Sequence, residues 1–229
     1  MKIEILDEVQ STNEYIKRYL PSGKDTIVVA KRQTGGKGTK GRAFLSRKGG
    51  VYLTALNFYR GFFAKDAFLI MAHAATAVCR TAEHFGLFPE IKWPNDIYLA
   101  GKKLAGILIE NILEGDQLKA SIIGIGLNVN NDLGELSDIA ISLSAAAGKI
   151  IPTEQARELL IQNLLKSDDF DDYLERVRFL GKEVLVVEGG KSYPAKALQI
   201  GTDGRLMIEH DGQKVYLSAA EISIKVSGE

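Results

Sequence analysis

"IKWPNDIYLAGKKLAGILIEN", Ile91 to Asn111, is the stretch on which the fold turns. Two β-favouring runs flank Gly101 and predict a hairpin turning at "LAGKK". Gly106 interrupts an otherwise bulky run, and a glycine inside a strand marks close approach by a ligand. Asp96 sits in "PND", a turn-forming triplet that also carries a charge. Lys102 and Lys103 follow the turn. A lysine there is either a solvated hairpin side chain, as Lys102 is read, or a fixed cation for an anionic ligand.

Outward from this hairpin, Ile3–Leu6 alternates with charged residues and predicts a short edge strand. Ser11, Thr12 and Asn13 precede apolar residues at Tyr15, Ile16, Tyr19 and Leu20, the spacing of a helix with the polar triplet near its N-cap. Strands are predicted over Thr26–Gln33, Val51–Phe58 and Ala120–Asn130, and helices over Ala64–Phe85 and Pro152–Phe179, with Pro152 in a first turn. After Gly181 five short runs are punctuated by "GGK", "TDG" and "DGQ" and predict a small barrel. The expected division is residues 1–180, which hold every candidate for chemistry, and residues 181–229.

With 229 residues, 45% hydrophobic and 25% charged, the composition is that of an ordinary globular protein. Formal net charge is zero, so bulk attraction to nucleic acid or a membrane is not indicated, and local clusters must carry any anion binding. The single cysteine, Cys79, excludes a disulfide framework or thiolate metal site within the chain. It lies in an Ala-rich helical pattern and reads as core. Acids in "MKIEILDEV", and the lack of a long apolar run, argue against a signal peptide or membrane span. The expected setting is cytoplasmic.

A second stretch, "RQTGGKGTKGRAF" from Arg32 to Phe44, formally contains G-x-G-x-x-G at residues 36–41. A dinucleotide site needs a helix after the glycines and an acid about twenty residues on. Here another strand follows, and the next acid is Asp66. A Walker loop needs Ser or Thr after Gly-Lys, whereas Gly41 is followed by Arg42. No HRD or DFG element supports a kinase. What remains is seven cations between Lys31 and Lys48, no acid, and glycines at 35, 36, 38 and 41. Such a loop suits the enclosure of a polyanion, and self-repulsion predicts mobility until the anion arrives.

Read together, Gln33–Arg42, Ser11-Thr12-Asn13, Lys92–Glu110 and "GIGLNVN" (Gly124–Asn130) resemble, in order, the signature segments of the biotin protein ligases. The resemblance covers nearly the whole chain, and the central segment is the most specific part. It implies an α+β fold: a mixed β-sheet flanked by helices, class II synthetase-like, followed by a small SH3-like β-barrel. It also implies a two-step reaction. Biotin carboxylate attacks the α-phosphate of ATP to give biotinyl-5′-AMP and pyrophosphate, and a lysine of a biotin carboxyl carrier protein then takes the biotin. Neither step needs an enzyme nucleophile, and His73, His84 and His210 are scattered along the chain.

By the same resemblance, Lys103 reaches both biotin carboxylate and α-phosphate. Lys37 and Arg42 assist from the loop, and Asp96 completes the catalytic set. The biotin site comprises Ser11, Thr12, Asn13, Gln33, Gly36, Lys37, Gly38, Thr39, Lys103 and Gly106. The ATP site comprises Lys40, Gly41, Arg42, Phe44, Lys92, Trp93, Asn95 and Asn128. Asp96 and Asn128 offer oxygen ligands for Mg²⁺, and Asp96 is equally suited to orient the incoming lysine. Two departures stand out: neutral Thr39 occupies a position usually cationic in the family, and Phe44 stands where Trp is usual. The alternative is acyl-adenylate transfer of the lipoate-ligase type. The chain opens on the catalytic domain's first strand, as a short form without an N-terminal DNA-binding domain would, so DNA binding is not expected; a homodimer is possible.

Overall fold

The computed structural model describes residues 1–166, 170–188, 191–218 and 222–226, with Lys40 and the last segment described by backbone alone. The expected turn at Gly189–Gly190 lies outside the described residues. The elements are β1 (Lys2–Leu6), α1 (Thr12–Ile16), β2 (Thr26–Ala30), β3 (Val51–Phe58), α2 (Phe68–Glu83), β4 (Glu90–Lys92), β5 (Asp96–Leu99), β6 (Lys102–Glu114) and β7 (Gln117–Leu127). They continue with α3 (Leu143–Ala147), α4 (Thr153–Leu164), α5 (Phe170–Arg176), β8 (Glu183–Glu188), β9 (Lys191–Ile200), β10 (Leu206–His210), β11 (Gln213–Leu217) and β12 (Ile222–Val226).

The first seven strands form one mixed sheet, in the order β1-β2-β3-β7-β6-β5-β4. β1 and β2 run parallel and the other pairs antiparallel. Strand side chains alternate between faces. One face sends Leu53, Ala55, Ile107, Ile123 and Ile125 into a core with Ala74, Ala77 and Val78 of α2. The other presents Val28, Leu56 and Ile122, which enclose Ile16 of α1. A five-residue helix is not stable alone. Fully burying Ile16 anchors it, a contribution of about 1.5–3 kcal/mol.

Beside α1 the same face runs out of side chains. Gly106 pairs with Gly126, which pairs with Tyr52, and Gly124 pairs with Thr54. Opposed residues share a face, so Gly106, Gly124 and Gly126 form a shallow band between α1 and the mouth of the β5–β6 hairpin. The hairpin turns at Ala100 and Gly101, both at positive φ.

Three expected elements differ in detail. The expected strand before Gly101 is split into β4 and β5 by Trp93-Pro94-Asn95, because Pro94 has no N–H for a ladder. The helix expected from Ala64 starts at Phe68, after a short 3₁₀ turn at Ala64–Asp66, and the helix expected over Pro152–Phe179 is two helices. The C-terminal strands form a sheet of order β11-β10-β9-β8-β12, antiparallel throughout. Among the described residues β11 and β12 do not pair, so the expected barrel is an open sheet. Val184, Val186, Ala197, Leu206 and Ile208 of these strands are buried, and most of β11 is exposed.

Candidate functional site

The glycine segment folds into a tight hairpin over the band of glycines. Its rungs are Gln33 N–H to Ser46 O (3.0 Å), Phe44 N–H to Gly36 O (2.9 Å) and Gly38 N–H to Arg42 O (2.7 Å). The Phe44 ring lies against Gly106 and Gly126. Most of the loop's charge is not free to repel itself. Lys31 pairs with Asp7 (2.8 Å), Arg32 with Glu8, Lys37 with Glu14 (2.7 Å) and Arg47 with Asp132 (2.6 Å). The acids come from elsewhere in the chain, which is why the loop's own composition hides them. Arg42 stays out of these pairs and binds Thr39 O and Oγ1. Gly41 ends the turn at the hairpin tip; the side chain of Lys40 lies outside the described residues.

Beneath the hairpin is a buried polar cluster. Ser11 occupies the N-cap of α1, yet its side chain makes no capping bond. The Thr12 N–H donates to Gln33 Oε1 (2.8 Å), and Gln33 Nε2 donates to Ser46 Oγ (2.9 Å). Asn13 lies flat over Gly124, where a Cβ would collide with its amide. Its Nδ2 donates to Glu110 Oε1 (3.1 Å). Thr54, fully buried, touches both Thr12 and Asn13. Ser11, Thr12, Asn13, Gln33, Lys37 and Gly106 all line one small cavity of about 40 Å³.

Lys103 closes the far end. Its Nζ lies 2.6 Å from Asp96 Oδ1, and both side chains are mostly buried. Its backbone is held by Ile139 O (2.9 Å) and Ile141 N–H (3.0 Å), which brings residues 133–140 alongside. A second cavity, of about 290 Å³, opens here. Leu133, Leu136, Ile139 and Tyr98 supply apolar wall, and Arg42 and Asn128 supply polar groups. Asn128 accepts from Asn131 Nδ2 (3.0 Å) and is nearly fully buried. Gly38, Thr39, Phe44, Asp96 and Lys103 are common to both cavities. Together the two reach the lower end of ligand-pocket sizes, roughly 300 Å³.

Among the described residues, four expected site residues line neither cavity: Gly36 and Gly41, which stay in the hairpin, and Lys92 and Trp93, which stand apart from it. Trp93 is buried in the core, and its indole N–H donates to Gly204 O (3.1 Å), tying the two sheets together. Lys92 lies over the Tyr98 ring, 4.8 Å from its centroid, in a depression shared with Glu90, Arg178 and Lys182. Asn95 lines the first cavity, but its amide is used to brace the turn, donating to Ile107 O (2.9 Å). Cys79 is fully buried and its thiol is pushed up to about 12 by desolvation, so it is no nucleophile. Sequence reasoning gave no site role to Thr54, Glu110, Gly124, Gly126 or the 133–140 wall. Gly124 and Gly126 carried a readable signal, small residues two apart in a bulky strand. The other positions became visible only through strand register.

A cation-bearing glycine hairpin, a band of missing side chains and a clamped lysine–aspartate pair thus meet at two adjoining cavities. The chain belongs to the biotin/lipoate A/B protein ligase family, whose model matches residues 6–128. It is 34% identical over 241 residues to the bifunctional ligase/repressor BirA of Bacillus subtilis, covering 96% of this chain and 72% of that relative. Among solved structures, the biotin protein ligase of Aquifex aeolicus in complex with biotin and ATP superposes with TM-score 0.76 at 28% identity, covering 99% of each chain. The biotin protein ligase of Leishmania major in complex with biotinyl-5-AMP gives TM-score 0.61 at 28% identity, over 95% of this chain and 99% of the other. Among the described residues no helix is long and apolar enough to cross a membrane.

Proposed function

We infer that the chain is an ATP-dependent biotin protein ligase, which forms biotinyl-5′-AMP and transfers biotin to a lysine of a biotin carboxyl carrier protein. The observation that carries its mechanism is the Lys103–Asp96 pair at the wall common to two unlike cavities. In this reading the polar cluster around Thr12 and Gln33 takes the ureido rings, and the glycine band takes the aliphatic body. The apolar wall at Leu133, Leu136 and Ile139 takes the base. The Phe44 ring shifts from Gly126, because 40 Å³ is too little for a fused bicycle.

The first step joins two anions. A biotin carboxylate oxygen attacks the α-phosphorus as the bond to the bridging oxygen breaks, and pyrophosphate leaves. Lys103, released from Asp96, sits between carboxylate and phosphate and offsets the gathering charge, with Lys37 and Arg42 closing from the hairpin. In the second step Asp96 holds the incoming lysine ammonium and takes its proton, the freed amine attacks the acyl carbon, and the acyl–phosphate bond breaks as AMP leaves. Asp96 and Asn128 face the same cavity, and this carboxylate and amide would hold a Mg²⁺ ion. Such an ion would neutralise charge on the triphosphate. The chemistry is assigned to residues 1–180, with residues 181–229 as a supporting unit, in a cytoplasmic setting.

Pyrophosphate exchange into ATP tests the first step. The expected result is exchange that depends on biotin and is not supported by lipoate or octanoate. Exchange driven equally by lipoate would favour the lipoate-ligase reading.

A further inference from the structure

Thr54 is fully buried on β3, away from any solvent, yet its hydroxyl meets two polar partners: Thr12 Oγ1 at 2.8 Å and Asn13 Oδ1 at 2.7 Å. A third contact joins Thr12 Oγ1 to Gln33 Oε1 at 3.0 Å. Three oxygen–oxygen contacts are served by only two hydroxyl protons. The amide of Asn13 cannot supply another, because its nitrogen is turned to Glu110, and a carboxylate accepts only. Its oxygen therefore faces Thr54 and takes that hydroxyl's proton. The Thr12 proton then goes to Thr54 or to Gln33 Oε1, inside the cluster in either case. The Gln33 amide is fixed as well, since its oxygen receives the Thr12 N–H. Thr12 Oγ1 consequently keeps a lone pair, and no proton, for the cavity its residue lines, while Gln33 Oε1 is taken up by the Thr12 N–H and the Thr12 hydroxyl contact.

We propose that Thr54 is a positioning residue that makes this end of the biotin cavity accept hydrogen bonds and donate none at Thr12, so that it selects a ring head bearing N–H groups. The proposal rests on the biotin-ligase reading and adds how the ureido rings are distinguished. A head without N–H, such as a dithiolane, meets a desolvated acceptor with nothing to give it. Thr54 touches no ligand itself.

The test compares Thr54→Val and Thr54→Ala, which remove the hydroxyl, with Thr54→Ser, which keeps it. The expected result is a KM for biotin raised about tenfold or more in the first two, the effect of leaving buried polar partners unsatisfied. The KM for ATP and kcat at saturating biotin should change little, and Thr54→Ser should stay near wild type. Calorimetric binding of biotin reads the same shift without turnover, so wild-type inactivity would count against the ligase reading while binding still decides the role of Thr54. Biotin binding within twofold of wild type in both Val and Ala variants would overturn the proposal, as would an equal loss in Thr54→Ser.

Discussion

The Phe44 ring is seated on Gly126, so closely that a Cβ at residue 126 would collide with it. The hairpin and the sheet therefore meet where a side chain is missing, at the place assigned to the body of biotin. Gly126→Ala should lift the ring and shrink the slot. Extended backbone tolerates alanine, so the fold should hold, while overpacking of about 1–2 kcal/mol falls on the site and weakens biotin about tenfold. Calorimetric titration of the variant measures this, and unchanged affinity would place biotin elsewhere.

Lys103 should be indispensable for adenylation and dispensable for folding. Its ammonium is partly exposed and pairs with one carboxylate, so Lys103→Met removes little packing. Removing a preorganised charge from a developing phosphoryl transition state costs about a hundredfold or more in rate. Biotin-dependent pyrophosphate release should fall by that factor with the melting temperature within a few degrees of wild type. Near-normal release would take Lys103 out of its assigned role.

The edge strand makes a pH-dependent contribution. Glu4 accepts from the hydroxyls of Tyr19 and Tyr15 and faces Lys2, and these hold its carboxyl at about 2, against an ordinary 4.5. A folded value below the unfolded one means stability present above about 4.5 and lost as pH falls toward 2. Glu4→Gln should therefore lower the urea midpoint at neutral pH, and the gap from wild type should close between pH 4.5 and 2. A gap that stayed constant with pH would show that the carboxylate charge does not matter there.

Much of this was legible in the chain because its signals are local. The "LAGKK" turn, the lone Gly106, and the order of strands before and after it depend on neighbours a few residues away. What escaped was long-range. The acids that pair with the glycine hairpin lie in β1, α1 and their flanks, or near residue 132, so a count within Lys31–Lys48 saw only repulsion. Trp93 read as part of a ligand motif, but its N–H reaches Gly204, 111 residues on. The C-terminal strands had a barrel's spacing, and nothing local reveals that, among the described residues, β11 and β12 do not pair. Thr54 was hidden because an ordinary β-branched residue in a strand carries no mark of the two partners that register brings to it.

The most direct test supplies the purified protein with ATP, Mg²⁺, biotin and an isolated biotin carboxyl carrier domain, and maps the product by mass spectrometry. The account predicts one biotin on one lysine of the carrier, dependent on ATP and absent with Lys103→Met. An unmodified carrier, or a carrier modified as readily with lipoate, would contradict it.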